Sequence, residues 1–236
     1  MANGLALQPR LRAIANLVPD GARLVDVGTD HGFIPVDLLL SGRICSAIAS
    51  DIGAAPLDHA RRTAQQYDVT EGITFRLCNG LQDISAEEVD CIVIAGMGGD
   101  NIAAILEAAP WTKAGKFLLL QPMSKAEVLR RWVSVNGYQV VAECLVADKG
   151  VIYPILSVRG GEMPAADEAQ CWGGFLLEAD PLWGHYLDEQ ILRLRRTAVG
   201  LEKARDVTVQ QRRGEICRII TALEQKRGGI QSANGT

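Results

Sequence analysis

The fold of this chain is decided by the stretch Arg23-Leu-Val-Asp-Val-Gly-Thr-Asp-His-Gly-Phe-Ile-Pro35. Leu24, Val25 and Val27 form an apolar run that is typical of a strand buried in a parallel sheet, and Gly28 follows where such a strand turns toward a helix. In doubly wound α/β sheets, ligands bind beyond the carboxyl ends of the strands. We therefore expect a ligand site lined by Asp26, Gly28, Asp30, His31 and Gly32. The simpler alternative is an ordinary connection between a strand and a helix.

Composition limits the classes of protein that this chain can represent. Its 236 residues, 48% of them hydrophobic, are enough for one domain with an appendage. The chain start has no signal-peptide pattern, and no segment is long enough to span a bilayer. The six cysteines form no Cys-x-x-Cys pair, and His59 and His185 have no metal-ligand partners at useful spacing. We expect a cytoplasmic protein with reduced thiols, no metal, no membrane contact, and both histidines on helix surfaces or in packing.

Seven strand-like apolar runs alternate with helical or turn-rich stretches. The runs are Leu24–Val27, Ala47–Ala49, Ile73–Leu77, Cys91–Ala95, Lys116–Leu120, Tyr138–Leu145 and Tyr153–Val158. Helices are expected at Phe33–Leu40, Ala54–Tyr67 and Asn101–Ala109. This alternation predicts an α/β fold with a Rossmann-like sheet, and the turn-rich residues 146–152 predict an antiparallel hairpin at the sheet edge. Six parallel strands followed by a reversed last strand are typical of class I methyltransferases.

The alternating pattern ends at Arg159-Gly-Gly-Glu-Met-Pro164, and the remaining chain has helical character. We therefore predict a catalytic domain at residues 1–160 and a helical domain at residues 161–236. Two apolar stripes predict an antiparallel coiled-coil hairpin in the second domain. The stripes are Leu187, Leu194 and Leu201, and Ile216, Ile219, Ile220 and Leu223. Trp172, Trp183 and Tyr186 are expected to pack where the hairpin meets the first domain.

The predicted hairpin is strongly basic although the chain as a whole has a net charge of −4. Residues 191–228 contain ten basic and four acidic side chains. Such a helical arm can hold a phosphate backbone, whereas the alternative is an ordinary solvated helix surface. The arginines expected to contact a nucleic-acid substrate are Arg193, Arg195, Arg196, Arg212 and Arg213.

Polar residues follow three further strands. Asp51 follows the second run and lies 23 residues after Gly28, the distance at which an acidic residue commonly meets a ribose diol. Asn79 and Gly80 follow the third run, where an amide oxygen can accept from an adenine amine and a glycine permits close approach. The fourth run ends in Ala95-Gly-Met-Gly-Gly-Asp100, which we expect to form a glycine-rich active-site loop.

The carboxylates of the first turn indicate which cofactor it binds. A dinucleotide requires a Gly-x-Gly-x-x-Gly turn, whereas this turn has Asp30 between Gly28 and Gly32 and would repel a second phosphate. S-adenosylmethionine has no phosphate, and its ammonium and sulfonium charges are attracted by Asp26 and Asp30. The sequence therefore favours methyl transfer over hydride transfer.

Together these motifs resemble the bacterial tRNA (adenine-N1)-methyltransferase family called TrmK. The resemblance rests on Asp26-Val-Gly-Thr-Asp-His-Gly-Phe-Ile-Pro35, Ala49-Ser-Asp-Ile-Gly-Ala-Ala-Pro-Leu57, Asn79-Gly-Leu81, Ala95-Gly-Met-Gly-Gly99, Leu118-Leu-Leu-Gln-Pro-Met123 and Leu129-Arg-Arg-Trp132. It implies a Rossmann-like domain that binds S-adenosylmethionine, a helical hairpin that helps to hold tRNA, and methylation of N1 of adenine 22. Asn79 departs from the acidic residue usual there, and Gly32-Phe33 replaces an alanine-aromatic pair.

The resemblance leads to specific roles for residues of this chain. Asp30 and His31 are expected near the transfer centre, with Asp30 stabilising positive charge on the adenine ring or accepting a proton. Gly96, Met97 and Gly98 would shape the adenine pocket. Gln121 and Pro122 would line it, or would simply form a proline turn after the fifth strand. The expected cofactor contacts are Asp26, Gly28, Asp30, Gly32, Asp51, Ile52, Asn79, Gly80, Ala95 and Gly96.

Two other functions are compatible with the sequence. In the first, the chain methylates a small molecule or a protein, and the helical arm serves in dimerisation or as a lid. In the second, the chain is a noncatalytic nucleotide-binding module related to dehydrogenases. For the tRNA enzyme we expect a monomer.

Overall fold

The structure is a computed structural model that describes residues 5–233, with side chains described through residue 230. The outermost residues of the two predicted domains, 1–4 and 234–236, lie outside this range. The strands are β1 (Ala22–Val27), β2 (Ile44–Asp51), β3 (Ile73–Leu77), β4 (Cys91–Gly98), β5 (Phe117–Ser124), β6 (Tyr138–Asp148) and β7 (Val151–Gly160). The helices are α1 (Pro9–Leu17), α2 (Phe33–Leu40), α3 (Ala54–Gln66), α4 (Gly99–Glu107), α5 (Ala126–Val135), α6 (Glu168–Gly173), α7 (Trp183–Gly200) and α8 (Val207–Ala233).

All seven strands belong to one sheet, in the order β3-β2-β1-β4-β5-β7-β6. The pairs among β1 to β5 are parallel, and β7 is antiparallel to both of its neighbours. The predicted Rossmann-like sheet with one reversed strand is therefore confirmed. The predicted hairpin also forms, but β7 inserts between β5 and β6, so that β6 lies at the edge.

The central strands are apolar on both faces because helices cover both sides of the sheet. Ile92 and Ile94 of β4 belong to one hydrophobic cluster, and Val93 between them belongs to the other. All three side chains are fully buried. Helix α1, which the sequence analysis did not predict, packs Ile14 and Ala15 into the second cluster.

The C-terminal part of the chain forms the predicted two-helix hairpin. Both predicted stripes are buried between α7 and α8 or packed against their interface, with Leu187 and Leu223 fully buried. Ion pairs join Arg195 to Glu224 and Arg227 to Asp188, so that later residues of α7 meet earlier residues of α8 and the helices run antiparallel. Supercoiling of this pair stays a prediction. No helix within residues 5–233 is long and apolar enough to cross a bilayer.

A buried ion pair connects the sheet layer to the helical region. Arg130 of α5 donates from Nε to Oε1 of Glu143 on β6 at 2.8 Å, and both side chains are inaccessible to solvent. Arg130 Nη1 also donates to the carbonyl of Cys171 and to the hydroxyl of Tyr186, at 2.8 and 3.0 Å. Glu143 Oε2 accepts from the backbone N–H of Phe175 at 2.8 Å. Each charge is thus matched by donors or acceptors from the other layer, which offsets much of its desolvation cost.

The three predicted packing aromatics lie in this contact region. Trp172, Trp183 and Tyr186 are buried in the hydrophobic cluster of the helical region, as expected. The indole N–H of Trp183 donates to the carbonyl of Gly173 at 2.8 Å. They therefore serve packing rather than solvent-exposed stacking.

Candidate active site

Two cavities open at the carboxyl ends of β1 to β4, and both are lined by Gly28. We call the first the Asp26 cavity; it has a volume of about 300 Å³. Its lining includes Arg10, Asp26, Asp30, His31, Phe33 and Gly96. We call the second the Asp51 cavity; it has a volume of about 320 Å³. Its lining includes Asp51, Ile52, Asn79, Gly80, Met97 and Asn101.

Gly28 lies between the cavities, and its backbone conformation favours glycine. Its φ of +72° is in the left-handed region, which is strained for residues with a side chain. A Cβ atom at this position would also lie 2.3 Å from Cε of Met97. The backbone N–H groups of Gly28 and Thr29 both donate to the carbonyl of Ser50, which holds the turn against the end of β2. The backbone of this turn is therefore held in place between the two cavities, with the Met97 side chain packed against it.

Asp26 is a buried carboxylate at the bottom of the first cavity. Burial raises the pKa of Asp26 to about 6, and the nearby Asp51 charge adds to this effect. The hydroxyl of Thr29 donates to Asp26 Oδ2 at 2.7 Å, which partly offsets the increase in pKa. A buried anion of this kind gains most from a cationic ligand, because the attraction is poorly screened.

Asp51 ends β2 at the mouth of the second cavity. Its Oδ1 accepts from the N–H of Gly53 at 2.7 Å, and within residues 5–230 its second carboxylate oxygen has no hydrogen-bond partner. Beside it, Ile52 is 73% exposed and Asn79 is also exposed. The arrangement offers acceptors for a diol and an amine together with an apolar surface for a flat ring.

The glycine-rich segment after the fourth apolar run is not the loop that the sequence predicted. β4 continues to Gly98 and α4 begins at Gly99, so the segment is the irregular end of a strand. Pairing with β5 persists at Met97 and Gly98, with register shifts on both sides of Met97. A Cβ on Gly99 would lie 2.2 Å from the carbonyl oxygen of Lys125, so this position admits only glycine without a shift of the backbone.

Gln121 and Pro122 lie within β5, which runs to Ser124, so the alternative of a proline turn after the fifth strand is wrong. Gln121 is fully buried behind the Asp26 cavity. Its Oε1 accepts from Arg10 Nη1 at 2.7 Å and from the Gly96 N–H at 3.2 Å, while its Nε2 donates to the Pro122 carbonyl at 2.8 Å. The oxygen and the nitrogen of the Gln121 side-chain amide thus both have hydrogen-bond partners within the protein.

Arg10 is a site residue that the sequence analysis missed. It lies on α1, lines the Asp26 cavity, and approaches Asp148 to 4.0 Å. No motif surrounds it in the sequence. The sequence does contain a pattern that predicts helix α1, since Pro9 suits the first position of a helix and the following residues place apolar side chains at helical spacing.

Asp30 and His31 stand at the exposed rim of the Asp26 cavity. Asp30 has a φ of +46°, and its Oδ2 lies 3.6 Å from His31 Nε2. The His31 ring stacks on Phe33 and on His59 of α3, with centroid distances of 5.1 and 5.0 Å. His59 is on a helix surface as expected, and the fold places it beside His31 and Asp30, a proximity that the spacing along the sequence does not indicate.

The same three polar side chains form a cluster of possible metal ligands. Ligand atoms of Asp30, His31 and His59 lie within 4.8 Å of one another. However, the two imidazole rings are inclined by only 9°. A metal ion lies near the plane of each imidazole that binds it, and stacked planes do not converge on one point. The observed ring orientation therefore does not suit joint coordination by His31 and His59.

Five of the ten basic residues between residues 191 and 228 are engaged in ion pairs. Arg193 lies over the Trp172 ring and 3.7 Å from Glu127. Arg195, Arg212 and Arg213 pair with Glu224, Glu215 and Glu202. Of the five arginines predicted to bind nucleic acid, Arg196 alone has no ion-pair partner within residues 5–230. In the same part of the chain, Lys203, Arg205 and Arg218 are likewise exposed without a pair.

These features fit S-adenosylmethionine. Carboxylates line both cavities, a glycine turn lies between them, and Asp30 brings a negative charge to the turn where a dinucleotide would place a phosphate. A sheet of this strand order, with an acid at the end of β2 and a glycine turn after β1, defines the class I methyltransferases. Residues 7–156 match the family model described as a methyltransferase domain.

Similar proteins indicate to which family of methyltransferases the chain belongs. A tRNA (adenine(22)-N(1))-methyltransferase from Bacillus subtilis strain 168 is 34% identical over 202 residues, 85% of this chain and 81% of the relative. The crystal structure of the B. subtilis m1A22 tRNA methyltransferase TrmK has a TM-score of 0.86 and 26% identity, covering 94% of this chain and 99% of that one. Sp1610 of Streptococcus pneumoniae, solved with S-adenosyl-L-methionine, has a TM-score of 0.81 and 32% identity, covering 92% and 98%. The chain belongs to the tRNA (adenine(22)-N(1))-methyltransferase family.

Proposed function

We propose that this protein transfers a methyl group from S-adenosylmethionine to N1 of adenine 22 in tRNA. The observation that carries the proposal is the match to the B. subtilis relative over 85% of the chain. Coverage of 94% in the structural comparison also means that most of the helical region has a counterpart there. The methyl donor and the tRNA substrate of the relatives are both compatible with the cavities and charges described above.

The two cavities divide the cofactor between them. Asp51 would accept from the ribose hydroxyls, Asn79 would accept from the adenine amine, and Ile52 would cover the adenine ring. At the other end Asp26 would attract the ammonium group, and Arg10 would pair with the carboxylate. Gly28 would lie beneath the connection between the two ends of the cofactor, where the absence of a side chain permits close approach of the backbone.

The bound cofactor would supply an electrophilic methyl carbon attached to a positively charged sulfur. The N1 lone pair would form a bond to that methyl carbon, the bond from carbon to sulfur would break with its electron pair going to sulfur, and the adenine ring would acquire the positive charge. Asp30, at the cavity rim, would stabilise that charge electrostatically, with His31 beside it. Most of the remaining barrier reduction would come from holding N1 in line with the methyl carbon.

The end of β4 would form the wall of the adenine pocket. The Gly96 N–H is tied to Gln121, and Gly98 is followed directly by α4, so this wall has a fixed backbone. Gly96, Met97 and Gly98 would leave space for a flat base. Gln121 would act by positioning Gly96 and Arg10, and Pro122 by supporting the wall from β5.

The helical region would hold the body of the tRNA. We propose residues 1–160 as the catalytic domain and residues 161–236 as the tRNA-binding domain. The exposed cations without intramolecular pairs, among them Arg196, are the ones available to phosphates without breaking an existing ion pair. We further propose that the enzyme acts as a monomer in the cytoplasm.

The direct test is methylation of unmodified tRNA with labelled S-adenosylmethionine, followed by nucleoside analysis. We expect 1-methyladenosine at position 22, and no product with a matched transcript in which guanine replaces adenine 22. Methylation at N6, or the absence of a tRNA product, would overturn the proposal. Substrate affinity should also fall steeply with salt, whereas a small-molecule methyltransferase would show little dependence.

A further inference from the structure

A stack of three rings extends from the Asp26 cavity onto the protein surface. We call Phe33, His31 and His59 the ring stack. Phe33 and His31 line the cavity, and His59 continues the stack on α3 outside it. The interplanar angles are 13° and 9°, so the three rings are nearly parallel. His59 is exposed, which leaves part of the outer ring surface accessible to a further flat group.

The close approach of two backbones fixes the position of the ring stack. Gly32 has a φ of +66°, and a Cβ there would lie 3.0 Å from Cβ and 3.3 Å from Cα of Ala60. Gly32 therefore lets the first turn pack directly on α3, next to His59. The ring stack is thus built on a rigid contact between two elements rather than on a flexible loop.

An exposed cation lies one helical turn beyond the ring stack. Arg62 follows His59 by three residues on α3, so the two residues share a helix face. Within residues 5–230 Arg62 has no ion pair, whereas its neighbour Arg61 pairs with Asp58 and lies over the Phe75 ring. The surface therefore combines a flat aromatic end with a free positive charge.

We propose that the ring stack binds an unpaired nucleobase of the tRNA next to the methylated adenine, and that Arg62 contacts the phosphate of that nucleotide. The inference rests on the proposed function. Single-stranded RNA is recognised chiefly by stacking on aromatic and histidine rings, combined with cationic contacts to the backbone. The ring stack begins inside the cavity proposed for methyl transfer and leads outward, so a neighbouring base is the group that its outer end can reach.

The experiment compares single variants of His59 and Arg62 in the full-length enzyme. His59→Ala removes the outer ring, His59→Tyr keeps an aromatic surface, and Arg62→Ala removes the cation. Arg23→Ala is the control, because Arg23 is paired with Asp90 at the opposite ends of the strands. For each variant we would measure KM for tRNA, kcat, the dissociation constant for S-adenosylmethionine, and the salt dependence of tRNA binding.

We expect His59→Ala to raise KM for tRNA by about tenfold, within the range known for single stacking contacts. His59→Tyr should restore most of the affinity, and kcat and cofactor affinity should stay near those of the unmodified enzyme. Arg62→Ala should reduce the slope of log affinity against log salt concentration by about one, whereas His59→Ala should leave that slope unchanged. Arg23→Ala should have no effect on any of these quantities.

Three results would overturn the inference. The first is an unchanged KM for His59→Ala, and the second is a loss that His59→Tyr does not restore. The third is the presence of stoichiometric metal in the purified enzyme, together with a loss of tRNA affinity when that metal is removed. The metal would be removed by dialysis against a chelator, and tRNA binding would then be measured after return to magnesium buffer. If the unmodified enzyme itself fails to methylate tRNA, the proposed function fails first, so the two failures are distinguishable.

Discussion

The substitution Asp26→Asn should make the protein more stable and at the same time weaken cofactor binding. Burial raises the pKa of Asp26 from 3.8 to about 6. One pKa unit corresponds to about 1.4 kcal/mol, so at pH 7 the folded state bears a cost of about 3 kcal/mol for keeping this carboxylate charged. An asparagine carbonyl can accept the same hydrogen bond from Thr29. Removal of the charge should therefore raise the free energy of unfolding by up to that amount.

The direction of the pH dependence follows from the same shift. Above about pH 6 Asp26 is charged in both folded and unfolded chains, and the full cost applies to the unmodified protein. As the pH falls the folded state takes up a proton first, so the difference between the two proteins should drop to about half at pH 5 and vanish below about pH 4. Urea denaturation of both proteins at pH 7, 6 and 5 measures this difference.

The cofactor provides the second readout. Because the neutral amide no longer attracts an ammonium group, affinity for S-adenosylmethionine should fall by about 10- to 100-fold in calorimetry. Asp58→Asn is the surface control, since Asp58 is exposed on α3 and its loss should change stability by less than about 0.5 kcal/mol. A variant that is less stable than the unmodified protein at pH 7, or a stability difference independent of pH, would refute the reasoning.

Three further predictions concern other parts of the site. Asp51→Asn should weaken S-adenosylmethionine binding by about 10- to 100-fold through loss of charged hydrogen bonds to the ribose, while Asp58→Asn leaves calorimetric affinity unchanged. Gln121→Met should lower both kcat and cofactor affinity, because it leaves Arg10 and the Gly96 N–H without their acceptor. Gln121→Glu keeps an acceptor oxygen and should retain more of both quantities. Equal losses in the two variants would contradict the positioning role of Gln121. Arg196→Ala should weaken tRNA binding and reduce the slope of log affinity against log salt concentration by about one, with no change in cofactor affinity. Arg23 is paired with Asp90 at the opposite ends of the strands, so the control variant Arg23→Ala should change neither tRNA affinity nor this slope.

The sheet could be predicted because each of its central strands corresponds to a recognisable apolar run in the sequence. The central strands are buried on both faces, and continuous apolar runs such as Cys91–Ala95 therefore mark them directly. The acid at the end of β2 was predictable for a related reason, since a strand end after a fixed connection length places Asp51 at the same sheet edge as Gly28.

The end of β4 was mispredicted because glycines have no side-chain pattern to show where a strand stops. Strand pairing continues through Met97 and Gly98 because β5 also extends beyond its apolar run, to Ser124. The contacts of Arg10 with Gln121 and of His59 with His31 were missed for another reason. Each contact joins residues of two different helices, strands or turns, and the spacing of these residues along the chain does not indicate that they are close in space.

The buried link among Arg130, Glu143 and Tyr186 has a consequence for how the chain can be divided. A fragment that ends near residue 160 would keep the ion pair but lose its hydrogen bonds to Cys171, Tyr186 and Phe175, and it would expose the surface that the helical region covers. Each hydrogen bond lost from such a buried group costs about 1–3 kcal/mol, so the three together are a large share of the stability of an ordinary protein. The two functional regions should therefore melt in a single cooperative transition, and the most protected amides on both sides of the link should exchange with the same free energy of opening.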